Sequence, residues 1–593
     1  MSLLVVASMM LSACQQAATP APAAEPTATT AAAEPAPTEA VAAEPTATEA
    51  AAAEPTATEA VAAPSGEANT LRVNVVSYPD IIDPQKSSFV NEIAHLKLMY
   101  EGLTRLDDKL ETVAGAAESW DYNTDATELT FHIRKDLKYS DGSILNAKRF
   151  EYAILRNIDP TTAGEYAQIT DDIKGAAAYR SADPAAANLA DLKAAVEVHA
   201  VDAKGEACKD YAQADCLDLK VGFEHPAPYF HTVASLWVTF PAKEENITAG
   251  GDTWWNDAQY QIGNGPFILD TLEPNTRALF VPNPTYWRGA PKYSIEYRYI
   301  TDGAVAFEAY KNNEFDVVPA AAEDLPVIQA DPDLSSQYVV YPGSCTFAVM
   351  FHQQKPPFDD QKAREAFAMA IDRKAFVKDV LKDLGSPTLT WIPQGFPGYD
   401  PDEARWDFDP EAAKKALSES KYANNMPELK LTFSDSPRNR TRFEWLANQW
   451  KTVLGVDVTL DPVEATAYTA LTKDIKTAPQ VFILGWCSDY PDPQNWLSVY
   501  WKTGAFGERI GYSNPDLDKL LDQADVETDP AKRTQLYADA QKMLIDGAPV
   551  AFVWNSVNSY MVKPWVKNFN VTAQDGVFPG DTDPLSITVE AQK

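Results

Sequence analysis

Histidine and cysteine are scarce in this 593-residue chain, which holds six of the first and five of the second. No C-x-x-C or H-E-x-x-H spacing occurs, so no metal centre is expected. Basic residues are also few: 50 Lys and Arg face 85 Asp and Glu, for a net charge of −35. That balance argues against nucleic acid as a partner, because phosphates would be repelled. No run reaches the roughly 20 apolar residues that a membrane-spanning helix requires. Catalytic signatures are missing too. There is no G-x-S-x-G elbow, no G-x-x-x-x-G-K-[ST] loop and no G-x-G-x-x-G fingerprint. Acidic pairs abound, which keeps a surface-tethered enzyme such as a carboxylate-pair glycosidase as a second reading. In so acidic a chain, most carboxylate pairs are solvated surface. Plentiful aromatics with few candidate catalysts fit binding better than turnover, and no catalytic residue and no cofactor is assigned.

What is present begins at the N-terminus. Residues 3–13 form a short apolar run that ends in Leu11-Ser12-Ala13-Cys14, the pattern of a bacterial lipoprotein signal. Lipidation at Cys14 would tether the mature protein to the outer face of a membrane. The plainer alternative is an apolar tail with an incidental cysteine. A signal usually carries Lys or Arg ahead of its apolar core, and Met1-Ser2-Leu3 offers neither. Residues 15–69 are almost all Ala, Pro, Thr and Glu, with near copies of AAAEPTATEA at 31–40, 41–50 and 51–60. These repeats contain no Leu, Ile or aromatic residue to bury, so they cannot repay the entropy of folding. A disordered, Pro-stiffened stalk is expected, with a contour beyond about 100 Å at roughly 3 Å per residue.

The remaining residues have a globular composition and enough length for two to four domains. Setting Cys14 aside leaves four cysteines, which in an oxidising compartment permit two disulfides in three connectivities. Cys208 and Cys216 are eight positions apart and suggest a locally closed loop, which would leave Cys345 to Cys487. Buried free thiols are the alternative.

Hydrophobic spacing is mixed α/β. Strands are predicted at 70–76 and 129–133, near Phe267, and at 294–300 and 348–351. Helices are predicted at 92–100, 148–156, 363–376, 442–454 and 516–524. Strand and helix trade places repeatedly, which argues for α/β lobes.

Five blocks then occur in order. They are FHIRKDLKYSDG at 131–142; GNGPF at 263–267 with NPTYW at 283–287; KPPFDD at 355–360 leading to AIDR at 370–373; GWCSDY at 485–490; and VKPWV at 562–566. Together they resemble family 5 extracytoplasmic solute-binding proteins, the oligopeptide-binding group of ABC importers. The resemblance implies a two-lobed periplasmic-binding-protein clamshell (class II) with an extra accessory domain. Its boundaries would be a signal at 1–14, a stalk at 15–69, a first lobe from 70–114, 241–345 and 556–593, an accessory domain at 115–240, and an opposite lobe at 346–555. It also implies a peptide ligand, an ABC permease as partner, and a monomeric, membrane-anchored extracytoplasmic lipoprotein.

By the same resemblance Asp489 would neutralise the peptide amine, with Trp486 and Cys487 beside it. Tyr166 would line the cleft from the accessory domain, and Cys345–Cys487 would match a family disulfide. Plainer roles stand beside these: Trp486 as core, and Asp489 as cap of the turn at Tyr490-Pro491. Three departures bear on the substrate. Ile483 stands where the oligopeptide-binding group has an arginine, and the stretch near Asp474-Ile475 replaces an arginine–histidine pair that can meet a peptide C-terminus, with only Lys473 and Lys476 positive nearby. Ser88 replaces an acid near the first helix. An oligosaccharide or metal chelate on the same fold, or a sensor without transport, are the remaining alternatives.

Overall fold

The computed structural model describes residues 69–574 and 577–590. The signal, Cys14 and all of the stalk but its last residue lie outside the described residues.

Alternating apolar residues organise the chain around one eleven-stranded sheet. One half is made of Thr70–Asn74, paired in parallel with Ser294–Arg298 and Val317–Pro319, followed by Arg277–Pro282 and Phe267–Glu273. The other half is made of Leu429–Ser434, parallel to Val458–Val463 and to Val481–Cys487. Two long antiparallel strands, Tyr338–Phe351 and Val550–Val562, belong to both halves and join them. Their pairing slips between Pro342 and Thr346, where the chain passes from one half to the other. Gly343 is required there, since a Cβ would lie 2.4 Å from the Ser556 hydroxyl oxygen. Bulges bend strands and increase their local twist. Each half therefore keeps its own pleat while the two strands cross between them.

A separate four-stranded sheet is built from Ala117–Tyr122, Glu128–Ile133, Asp218–Gly222 and Val198–Val201. Its apolar face, with Leu129, Phe131, Leu219 and Val221 at 0 % exposure, joins the core of the first half. A Cys208–Cys216 disulfide closes the loop between its last two strands.

The prolines have a clear use in the second half. Asp409-Pro410, Ser436-Pro437, Asp492-Pro493, Asn514-Pro515 and Asp529-Pro530 each begin a helix. The first residue of each pair accepts a backbone N–H, and the proline fills the position whose own N–H would be orphaned. The helix predicted over 363–376 is interrupted. Gln361–Met369 stops at Ala370, and the Asp372 carboxylate then accepts the Ala375 N–H and opens a new turn. An aspartate that caps wins over continuous apolar spacing. The strand predicted over 70–76 ends at Asn74, because the Asn74 side chain takes the Val76 and Ile300 N–H groups.

Eight of the fourteen tryptophans are buried, Trp391, Trp450, Trp496 and Trp501 completely. The tryptophans are mostly core, so their number alone does not favour the oligosaccharide alternative.

Candidate functional site

Strand Val481–Cys487 runs antiparallel to Tyr338–Phe351, with Cys487 opposite Cys345. A disulfide joins them beside the crossing point, and the Ser488 N–H donates to the Ser344 carbonyl at 3.0 Å. The chain leaves the sheet there, so residues 488–490 are held just where the two halves meet.

Asp489 is half-buried and gathers donors from distant parts of the sequence. The Tyr166 hydroxyl donates to one carboxylate oxygen. Asn495 Nδ2 donates to the other at 3.0 Å. Asn495 is fully buried, and its Oδ1 accepts the Asp489 N–H at 3.2 Å and the Trp486 indole N–H at 3.1 Å. Gln574, from the last part of the chain, donates to the Asp489 and Ser488 carbonyls at 3.0 and 3.3 Å. Among the described residues no Lys, Arg or His pairs with the Asp489 carboxylate. Helix Pro493–Trp501 is capped by Asp492, which leaves the Asp489 side chain to other work.

Tyr166 comes from the segment that carries the four-stranded sheet. Its ring packs on Trp237 at 5.2 Å, and the Trp237 indole donates to the Ser87 carbonyl at 2.8 Å. One residue earlier, Glu165 accepts the Ser88 hydroxyl. A carboxylate thus stands beside Ser88 after all, supplied from across the structure.

A second contact fixes the same junction. Tyr229 stacks on Tyr490 at 6.0 Å with 7° between ring planes. Arg533 grips Asp492 with two bonds of 2.7 and 2.8 Å, a fork geometry that holds both partners firmly. Asp525, nearby, is pushed up from the usual carboxylate range by burial, with hydrogen bonds from Ser498 and Tyr537 opposing the rise.

Cys487 is exposed and Trp486 half-buried, its ring 5.4 Å from Tyr500 and 5.1 Å from Phe506. Ile483 is buried, and its carbonyl accepts the Tyr468 hydroxyl. Lys473 and Lys476 are exposed on a loop anchored by His352, whose ring Nε2 contacts the Ile475 carbonyl at 2.9 Å. Sequence reasoning did not bring Asn495, Gln574 or Glu165 to this site. Asn495 lies nine residues from Trp486 and six from Asp489, the one signal that could have suggested it.

Among the described residues no group of three or more His, Cys, Asp or Glu side chains could hold a metal ion, and no helix is long and apolar enough to cross a membrane. The arrangement offers a carboxylate, an aromatic wall and strand-edge backbone, which suits holding a ligand rather than transforming one.

Comparison with known proteins agrees. The model of bacterial extracellular solute-binding proteins, family 5 Middle, matches residues 111–508. The chain is 27 % identical to the periplasmic murein peptide-binding protein MppA of Escherichia coli, over 87 % of this chain and 93 % of that protein. It is 29 % identical to the dipeptide-binding protein DppE of Bacillus subtilis, over 83 % of this chain and 88 % of that protein. The solved unliganded open form of MppA superimposes with a TM-score of 0.77 at 25 % identity, covering 89 % of this chain and 99 % of that one. A second Escherichia coli MppA structure gives 0.62 at 25 % identity, covering 88 % and 98 %. The fold is that of the two-lobed clamshells. This chain belongs to family 5 of the bacterial extracellular solute-binding proteins and is a binding protein, not an enzyme.

Proposed function

We propose that this protein captures peptides, oligopeptides foremost, between two lobes and delivers them to an ABC permease from a lipid anchor at Cys14. The lobes would be 70–114 with 241–345 and 556–593 on one side and 346–555 on the other, with 115–240 as the accessory domain. The slip in the two crossing strands near residues 342–346 supports a lobe boundary there.

The observation that carries this reading is Asp489. A half-buried carboxylate with hydrogen-bond donors but no countercharge is incomplete, since buried charges call for partners. A peptide amine is such a partner, and strand-like hydrogen bonding to the peptide backbone would add affinity without reading sequence. The names of the relatives, murein peptide-binding and dipeptide-binding, support the same ligand class. For uptake, ligand must favour the closed state, since equal affinity for open and closed forms shifts nothing. The protein is expected to act as a monomer.

Native mass spectrometry of the purified protein tests the ligand class. A ladder of co-purified peptide masses is expected, and a single sugar or chelate mass would overturn it. Cys14→Ser should release the protein from membranes, and retention there would contradict the anchor.

A further inference from the structure

Residues 571–574 pass from the core of one half to the core of the other. Val571, 1 % exposed, packs in the core of the first half, and Ala573, 4 % exposed, in the core of the second half around Trp391 and Trp496. Thr572 bonds back to the first half: its hydroxyl donates to Asp581 at 3.2 Å and accepts the Asp581 N–H at 3.3 Å. Asp581 in turn accepts Lys97 Nζ at 2.6 Å, in the last turn of helix Val90–Met99. Gln574 reaches the other way and donates from Nε2 to the Ser488 and Asp489 carbonyls at 3.3 and 3.0 Å. The segment is therefore fastened to the first helix on one side and to the turn that carries Asp489 on the other.

A second observation concerns the other half of the same amide. Gln574 is 6 % exposed, and its Oε1 has no hydrogen-bond partner. The amide cannot turn over to relieve it, because Oε1 would then face the two carbonyl oxygens. Buried acceptors are nearly always satisfied, and the exceptions call for an explanation. The two carbonyls supply one, since the strand ends at Cys487 and they lie beyond it. One side-chain acceptor is left empty so that two backbone acceptors are filled.

We infer that Gln574 is a positioning residue for Asp489, and that residues 571–574 form a third link between the two halves through which a ligand at Asp489 bears on the first helix. The inference rests on the peptide reading of Asp489 and extends it. The two crossing strands are continuous chain and join the halves whatever the ligand. The third link ends in two hydrogen bonds to one turn, so it holds only while Asp489 and Gln574 keep their places. A ligand amine that fixes Asp489 also fixes the 488–489 carbonyls. Gln574 passes that ordering to Thr572, Asp581 and Lys97. Such coupling needs no contact between ligand and tail, only that one ordering lowers the cost of the next.

Amide hydrogen exchange on the full chain tests the link without ligand. The Ser488 N–H bonds the Ser344 carbonyl and the Asp489 N–H bonds Asn495, so both report on the turn. Gln574→Leu should speed their exchange roughly tenfold and leave strand Leu429–Ser434 unchanged. Wild-type rates in the turn, or an equal rise in that strand, would overturn the link. Saturating tri-alanine should slow exchange of the Asp581 N–H, which Thr572 accepts, in the wild type but not in Gln574→Leu. Equal slowing in both would overturn the coupling. By calorimetry, Gln574→Leu should weaken tri-alanine roughly tenfold and leave the residual binding of N-acetyl-tri-alanine unchanged, because only the free amine uses Asp489. Gln574→Glu is the second variant: ionised, it repels the two carbonyls, and protonated, it donates to one. Its deficit against wild type at the same pH should shrink from about pH 8 to about pH 5, while that of Gln574→Leu stays constant. A constant deficit in both would overturn the positioning role. If the turn loosens in Gln574→Leu but the two peptides are affected alike, the link stands and the amine reading of Asp489 fails. If tri-alanine is weakened while the turn keeps wild-type exchange, the link fails and the amine reading stands.

Discussion

The surroundings of Asp489 and the cavity lined by Phe506 and Arg509 are built in opposite ways. Around Asp489, donors arrive from Tyr166, Asn495 and Gln574, so three distant parts of the chain must be in place before the carboxylate is set. Around Arg509, the lining comes from two local segments of one half, 468–476 and 499–509, with Leu484 from the neighbouring strand. The first reports on how the parts of the molecule are assembled. The second can change its residues without disturbing that assembly.

Breaking the Asp489 region at its root should have the largest effect. Cys345–Cys487 closes 142 positions of chain, which corresponds to about 5 kcal/mol of loop-closure stabilisation. Cys208–Cys216 closes eight, worth about 2.5 kcal/mol on the same model. Cys345→Ser/Cys487→Ser should therefore lower the urea midpoint much more than Cys208→Ser/Cys216→Ser. Equal shifts would mean that the long disulfide does not staple the site strand.

Next in size is Asp489→Asn, which keeps shape and removes charge. Peptide affinity should fall by about 1.5–3 kcal/mol, the scale of a charge-assisted hydrogen bond, and unchanged affinity would remove Asp489 from the site.

A control that touches neither region concerns His95. It is fully buried between Asn91 and Tyr299, and burial lowers its pKa to about 4. Because the folded value lies below the unfolded one, near 6.5, the unfolded chain binds the proton first as pH falls. This group's contribution is complete above pH 6.5 and declines toward pH 4, by about 2 kcal/mol between pH 7 and pH 5. Urea titrations at the two pH values measure it, and replacing His95 with Gln should flatten the difference.

The smallest effect is expected from Tyr166→Phe, which removes one donor from Asp489. Tri-alanine binding should weaken by about 0.5–1.5 kcal/mol.

The same contrast explains what could be read from the chain. Strands such as Glu128–Ile133 and Ser294–Arg298 announce themselves by alternation. The GWCSDY block carries Trp486, Cys487 and Asp489 together, and family resemblance to that contiguous block gives them their roles. Tyr166 entered only through family resemblance, since nothing local distinguishes it among 25 tyrosines. Glu165, Asn495 and Gln574 were silent. Each matters through a neighbour supplied by folding rather than by spacing, as with Glu165 against Ser88, 77 positions away. Asp372 misled for a related reason: apolar periodicity records which face is buried, not where a carboxylate will turn back to cap the chain.

The most direct test of the central claim is calorimetry of tri-alanine and N-acetyl-tri-alanine on the wild-type chain and on Asp489→Asn. The wild type should bind the free-amine peptide and largely lose it on acetylation, and Asp489→Asn should remove most of that difference. Equal binding of both peptides by the wild type would contradict the claim that Asp489 receives a peptide amine.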